Sequence, residues 1–147
     1  MLEASSLILF LFLVTKFFEK IRSSIRRKAE NGRTKYATYV TVNPLLEKPV
    51  VYDSISCHKN VAAVAKLRTS AHNFQIEMGR RTNTARENRK CHCGGVEDEE
   101  HFLTQCPTYE HVRSKHHVDG SWCTVLGDAT YVDYIKELYE ARNDASG

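Results

Sequence analysis

The chain has 147 residues, which is enough for one ordinary domain and short for two. Apolar residues make up 41% of it and charged residues 27%, and the formal net charge is +3. These values exclude a bundle of membrane-spanning helices and a chain disordered throughout, and they favour a small globular protein.

The first predicted element is a helix within residues 1–30. The run from Leu7 to Val14 is continuously apolar, but it is shorter than the roughly 20 residues that a membrane-spanning helix needs. Apolar residues then recur at helical spacing as far as Ile25, and Asn31-Gly32 is a predicted turn. This pattern favours a helix over residues 7–25 that is buried or packs on a protein partner. A membrane-associated helix, held through residues 7–18, is the alternative.

Residues 31–65 are predicted to contain a linker and the first helix of a module that occupies residues 66–147. Tyr36 to Val42 is compatible with a strand, although its periodicity does not decide between strand and helix. Ser56 is predicted to cap a helix that extends to Leu67. Three further helices are predicted, from Asp98 to about Cys106, from Tyr109 to Lys115 and from Tyr131 to Arg142. The predicted fold class is mostly α, with short helices around a small zinc knuckle and an apolar N-terminal helix.

Charge is distributed unevenly along the chain. Residues 66–90 contain seven basic and two acidic residues, whereas residues 97–147 contain four basic and eleven acidic residues. Gly79 is predicted to end an apolar segment, and Arg80 to Lys90 is predicted to form an exposed basic arm. A basic segment next to an acidic tail favours contact with nucleic-acid phosphates through the first part only. The alternative is that both segments are solvated faces of one domain. The candidate phosphate contacts are Lys66, Arg68, Arg80, Arg81, Arg86, Arg89 and Lys90.

Four residues have the composition of a structural zinc site: Cys91, Cys93, His101 and Cys106. Zinc prefers four tetrahedral thiolate and imidazole ligands, and a complete set leaves no position for a catalytic water. Gly94 and Gly95 can adopt the positive φ that a tight turn between ligands requires. The number of cysteines is odd and three of them cluster beside a histidine, which favours metal over disulfides and a reducing, intracellular compartment, nuclear or cytoplasmic.

The spacing of His101 and Cys106 needs an explanation. Five residues on an unbroken α-helix place two side chains about 140° apart, so both would not face one ion. Pro107 disfavours helical backbone at Cys106, which would allow the sulfur to turn back towards the ion. His92 and His111 are alternative ligands, and the remaining alternative is a set of unliganded thiols beside a histidine.

Sequence motifs for several catalytic mechanisms are missing. The chain has no phosphate-binding Walker loop, no Gly-x-Ser-x-Gly turn and no spaced aspartate pair typical of a two-metal site. His72 and Glu77 are interpreted as hydrogen-bonded scaffold rather than as an acid–base pair. The chain is therefore predicted not to be an enzyme.

The segment from Lys66 to Tyr109 resembles the zinc-binding C-terminal region that follows the polymerase domain in non-LTR retrotransposon reverse transcriptases. The shared features are the Lys-x-Arg-x-Ser-x-His pattern from Lys66 to His72, the Ile-Glu-x-Gly-Arg pattern from Ile76 to Arg80, and Glu97 to Leu103. Cys106-Pro107 completes the pattern, and weaker similarity extends from Arg33 to Arg142. The Cys91-x-Cys93 pair is one residue shorter than the Cys-x2-Cys of the family.

This resemblance implies a retrotransposon-derived module that binds Zn²⁺ and helps a polymerase hold DNA or RNA. The polymerase aspartates are not present, so the module would be non-catalytic by itself. A module for protein–protein interaction, or a non-functional remnant of a polyprotein, is the alternative.

Overall fold

The structure is a computed structural model that describes residues 4–30, 36–47 and 49–144. It is mostly helical, which confirms the predicted fold class. Within the described ranges, the one β pairing is a single antiparallel bridge between Lys90 and Val96. The longer helices are α1 (Ala4–Glu30), α2 (Tyr36–Val42), α3 (His58–Arg68), α4 (Gln75–Arg81), α5 (Glu110–Lys115), α6 (Trp122–Gly127) and α7 (Val132–Asp144).

The N-terminal helix extends beyond the range that the apolar pattern predicted. Its second half packs on α2, where Arg26 donates a hydrogen bond to the Pro44 carbonyl at 3.0 Å and Lys28 lies over the Tyr36 ring. No helix in the described ranges has both the length and the apolarity required to cross a membrane. The predicted turn at Asn31-Gly32 lies outside the described residues.

Tyr36 to Val42 forms a helix and not a strand. Its apolar and β-branched residues occupy a short helix packed against α1 and α6, with Val42 on the core and Thr38 hydrogen-bonded to Glu99 at 3.0 Å. Tertiary contacts outweigh local β propensity here, because a lone strand would leave its backbone groups unpaired.

Helix α3 differs from its prediction at both ends. Cys57, and not Ser56, is the N-cap residue, and its side chain makes no capping hydrogen bond within the helix start. The helix continues to Arg68, so the predicted division between residues 65 and 66 falls inside it. Helix α3 packs on α7, and buried Val64 and Leu67 join the same core as Leu138.

Gly79 does not end a helix, because α4 continues through it to Arg81. The glycine is required instead by a close approach: a Cβ at position 79 would lie 2.5 Å from Arg89 Cγ. Arg89 itself donates hydrogen bonds to the carbonyls of Thr84 and Ile76. Most of the predicted exposed arm is exposed, and Arg89 is the residue at which it packs on α4.

An aromatic cluster joins the helices around the middle of the chain. The Phe102 ring lies 4.7 Å from that of Phe74, 5.2 Å from Tyr109 and 5.6 Å from Tyr139, measured between ring centroids. Tyr134 is completely buried and donates a hydrogen bond to the carbonyl of Leu103. The last helix thus holds the segment from Phe102 to Tyr109 against the core, and this segment lies directly beside the cysteine cluster.

Candidate metal centre

The first two candidate ligands lie on a tight hairpin turn. The amide of Cys91 donates to the Gly95 carbonyl at 2.8 Å, and the amide of Gly94 donates to the Cys91 carbonyl at 2.9 Å. Gly94 has a φ of +94°, a conformation that favours glycine. These bonds reverse the chain within five residues, so the two cysteines of the shortened Cys-x-Cys pair reach the same side.

Gly95 has a different role from Gly94. A Cβ at position 95 would lie 2.6 Å from Cε1 and 2.9 Å from Nδ1 of His101. The imidazole therefore packs directly on the glycine backbone, and the absence of a side chain at this position leaves room for the ring.

The other two ligands lie at the two ends of a π-helical turn from His101 to Gln105. The amide of Cys106 donates to the His101 carbonyl at 2.7 Å, a bond that spans five residues instead of the four of an α-helix. The wider turn brings residues five apart nearly into line. Cys106 has extended backbone angles (φ −64°, ψ 119°), as Pro107 predicted.

The four side chains converge on one point. The sulfur of Cys106 lies 3.8 Å from that of Cys91 and 3.8 Å from that of Cys93, and Cys93 Sγ lies 3.1 Å from His101 Nε2. All four ligand atoms lie within 4.8 Å of one another, close enough to bind one metal ion. His92 and His111 are exposed and are not part of the group that the described residues form.

The protein surroundings affect the protonation of these ligands in different ways. Burial raises the pKa of the Cys91 thiol to about 12. A hydrogen bond from the Gly95 backbone lowers the pKa of Cys93, and burial lowers the pKa of His101, which favours the neutral imidazole that metals bind. A cation at the centre would offset the cost of ionising Cys91 in its buried position.

A second layer of residues holds the ligand segments in place. Asp98 accepts a hydrogen bond from the His101 amide at 3.0 Å and so caps the turn, and the Arg113 guanidinium donates to the Cys106 carbonyl at 2.5 Å. Glu97 accepts from the Gln75 amide at 2.7 Å and pairs with Arg142 of α7. Sequence reasoning missed these roles. Only Asp98, three residues before His101, carries a local capping signal.

Most of the residues that carry the family resemblance make hydrogen bonds and ion pairs within the fold. Glu99 accepts hydrogen bonds from Ser70 at 2.5 Å, from His72 at 3.0 Å and from Thr38. The other His72 ring nitrogen, Nδ1, accepts from the Phe74 amide. His72 therefore bonds to the carboxylate and to a backbone amide, and buried Glu77 is paired with Arg80.

The seven candidate phosphate contacts fall into three groups. Arg68 is 2% exposed, donates to the Leu126 carbonyl at 2.6 Å and lies over the Tyr52 ring, so its burial removes it from any surface. Arg80, Arg86 and Arg89 line one cavity of about 290 Å³ together with acidic residues, and Arg86 pairs with Asp98 at 2.5 Å. Lys66, Arg81 and Lys90 are exposed.

Comparison with known proteins identifies no relative: no family model, no curated protein and no solved structure matches the chain. The resemblance to the retrotransposon module stays a prediction carried by the residues from Lys66 to Tyr109.

Proposed function

We propose that Cys91, Cys93, His101 and Cys106 bind one structural zinc ion, and that this ion stabilises a non-catalytic module that associates with DNA or RNA. The observation that carries the proposal is the convergence of three sulfurs and one imidazole nitrogen on one point. When bound, zinc would link the hairpin to the π-helical turn and contribute folding free energy directly.

The spacing of the ligand atoms supports zinc. Zn–S bonds of about 2.3 Å in a tetrahedron place two sulfurs about 3.8 Å apart. Both sulfur separations measured from Cys106 are 3.8 Å. The corresponding S–N separation would be about 3.6 Å, whereas Cys93 Sγ and His101 Nε2 are 3.1 Å apart. This one separation would lengthen by about half an ångström in a regular tetrahedron. Soft thiolates with an imidazole also favour zinc over magnesium or calcium.

Metal analysis of the purified chain tests the zinc site. The proposal expects about one zinc per chain and loss of that zinc in Cys106→Ser. His111→Ala is the matched control, because His111 is exposed and should leave the zinc content unchanged. Full zinc content in a Cys91→Ser/Cys106→Ser double variant would refute the assignment.

The nucleic-acid part is supported by exposed basic residues next to the metal centre. Lys90 immediately precedes the first candidate ligand, and exposed Arg81 ends α4, nine residues earlier. Arg86, with a side chain 65% exposed, is held by a surface ion pair of low net energy that a phosphate group can replace. Contacts of this kind are independent of sequence and sensitive to salt. Nucleic-acid contact and a zinc site both agree with residence in the reducing nucleus or cytoplasm, where thiolates stay available for zinc.

A salt titration with fluorescently labelled single-stranded DNA and RNA tests this part. We expect binding at about 50 mM salt that weakens steeply by about 200 mM. The slope of the logarithm of the binding constant against the logarithm of the salt concentration should become shallower by about 1.4 in Arg81→Gln/Lys90→Gln, because each lost contact to a single strand removes about 0.7. Lys115→Gln/Lys136→Gln removes the same charge from other exposed sites and should change the slope little. The absence of binding at about 50 mM salt would refute the nucleic-acid role, and equal losses in both pairs would refute the assignment of the contacts to Arg81 and Lys90.

A further inference from the structure

The middle of α1, from Phe12 to Ile21, presents large apolar side chains to solvent. Exposed fractions are 55% for Phe12, 58% for Leu13, 61% for Phe17, 52% for Phe18 and 39% for Ile21. A monomeric domain rarely exposes so many large apolar residues on one short segment, and such a patch marks an interaction surface. The end of the helix packs beside α2 at Arg26 and Lys28, whereas the apolar residues from Phe12 to Ile21 stay exposed among the described residues.

Five apolar residues share one side of the helix, whereas Phe12 projects on the opposite side. At about 100° per residue, Leu13, Val14, Phe17, Phe18 and Ile21 fall within a sector of about 140°. Glu19 lies almost directly opposite this sector. The face is therefore continuous, with a width typical of a helix that lies at an interface.

Basic residues border the apolar sector on both sides. Lys16 and Lys20 lie near one edge and Arg22 near the other, within about 60° on the same helical projection. Six basic residues stand against two acidic residues in α1 as a whole. Lysine and arginine in this position can extend their ammonium and guanidinium groups to anionic lipid headgroups while their stems cover the apolar edge.

Charge also decides between the occupants of this face. In a dimer of two α1 helices, the residues next to the contact between the helices would be mostly basic on both copies, and the two copies would repel each other. An anionic surface has the opposite charge and accepts the aromatic side chains between its headgroups. A helix with one apolar face bordered by basic residues fits a position along the membrane surface.

We infer that α1 binds the surface of anionic lipid bilayers through Phe17, Phe18 and Ile21, with Lys16, Lys20 and Arg22 on the headgroups. This binding is independent of the metal centre, which lies in the module from residue 66 onwards.

Vesicle co-sedimentation of the full, zinc-loaded chain tests this surface. The chain should bind vesicles of phosphatidylcholine with phosphatidylserine, and bind vesicles of phosphatidylcholine alone much more weakly. Phe17→Ser/Phe18→Ser should reduce the partitioning of the chain into vesicles at least about tenfold. Lys16→Gln/Lys20→Gln should reduce its partitioning into the anionic vesicles by about tenfold or more. Leu45→Ser is the matched control, because Leu45 is 64% exposed and lies outside α1.

Three outcomes would overturn the inference: equal binding to both kinds of vesicle, unchanged binding of the double phenylalanine variant, or a lipid-free dimer that this variant dissociates. The last result, measured by size-exclusion chromatography with light scattering, would assign the face to a second copy of the chain. Circular dichroism of each variant checks that helix content is retained, which the exposure of both phenylalanines leads us to expect.

Discussion

The imidazole of His101 lies on the backbone of Gly95, the residue that closes the hairpin turn begun at Cys91. A methyl group at position 95 would come within 2.6 Å of the ring. The contact joins the hairpin that holds two cysteines to the turn that holds the other two ligands, so the two halves of the site depend on each other.

Gly95→Ala should therefore weaken metal binding without removing a ligand. The new Cβ displaces the His101 ring, and we expect a loss of about 10- to 100-fold in zinc affinity, comparable to other changes around a metal site. Competition with a chromophoric chelator measures this loss. Gly127→Ala is the control, since a Cβ there meets nothing within 4 Å. Equal affinities for the two variants would contradict the proposed contact.

Deletion of Gln105 tests the π-helical turn. Removing one residue should convert the bond from Cys106 to His101 into one of α-helical span and rotate the Cys106 sulfur away from the other ligands. We expect zinc affinity to fall at least about a hundredfold, measured by the same chelator competition. Gln105→Ala keeps the residue count and changes only an exposed side chain, and so it should bind zinc like the original chain. Normal affinity in the deletion variant would mean that the wide turn is not needed.

Glu99 should make the stability of the chain sensitive to acid. Burial by itself would raise the pKa of Glu99, but hydrogen bonds from His72 and Ser70 outweigh it and lower the pKa below its usual 4.5. A carboxyl group with a lowered folded-state pKa stabilises the fold above its unfolded pKa, and this contribution is lost as pH falls from about 4.5 through the folded pKa.

Glu99→Gln should consequently cost about 2–3 kcal/mol near neutral pH, and the difference from the original chain should shrink in acid. Denaturant unfolding at a series of pH values, with zinc content measured at each, separates this effect from loss of metal. Glu100→Gln alters the exposed neighbour and should change stability little. A pH-independent difference for Glu99→Gln would show that the carboxylate charge is not what stabilises the network.

Arg68 should matter for stability and not for nucleic-acid contact. Arg68→Met keeps much of the buried stem but removes the hydrogen bond to the Leu126 carbonyl, leaving that group unpaired. We expect a loss of about 1–3 kcal/mol in the free energy of unfolding, measured by denaturant titration. Lys66→Met is the control on the exposed side of the same helix. Under conditions in which both proteins stay folded, the salt dependence of nucleic-acid binding should be the same for Arg68→Met and the original chain. A weaker salt dependence in Arg68→Met would contradict the buried role of Arg68.

Local chemistry in the sequence determined the candidate ligand set and the mostly helical class. Thiols and imidazole are the zinc ligands that proteins use, a proline constrains the residue before it wherever it stands, and helical periodicity is visible within one segment. These signals predicted the four side chains at residues 91, 93, 101 and 106, the extended backbone at Cys106 and the helix of residues 110–115.

Only the tertiary structure decided how those pieces are used. Tyr36 to Val42 forms a helix because α1 and α6 provide a surface for it, and the Arg89 side chain packs on the Gly79 backbone within α4. Arg68 carries the same charge as Arg81, yet Arg68 is buried with its guanidinium over the Tyr52 ring and Arg81 is exposed. The π-helical turn is likewise fixed by the residues around it, Asp98 at its start and Arg113 at the carbonyl of Cys106. Each of these outcomes depends on contacts between residues distant in sequence or on a hydrogen-bond geometry that composition and spacing do not encode.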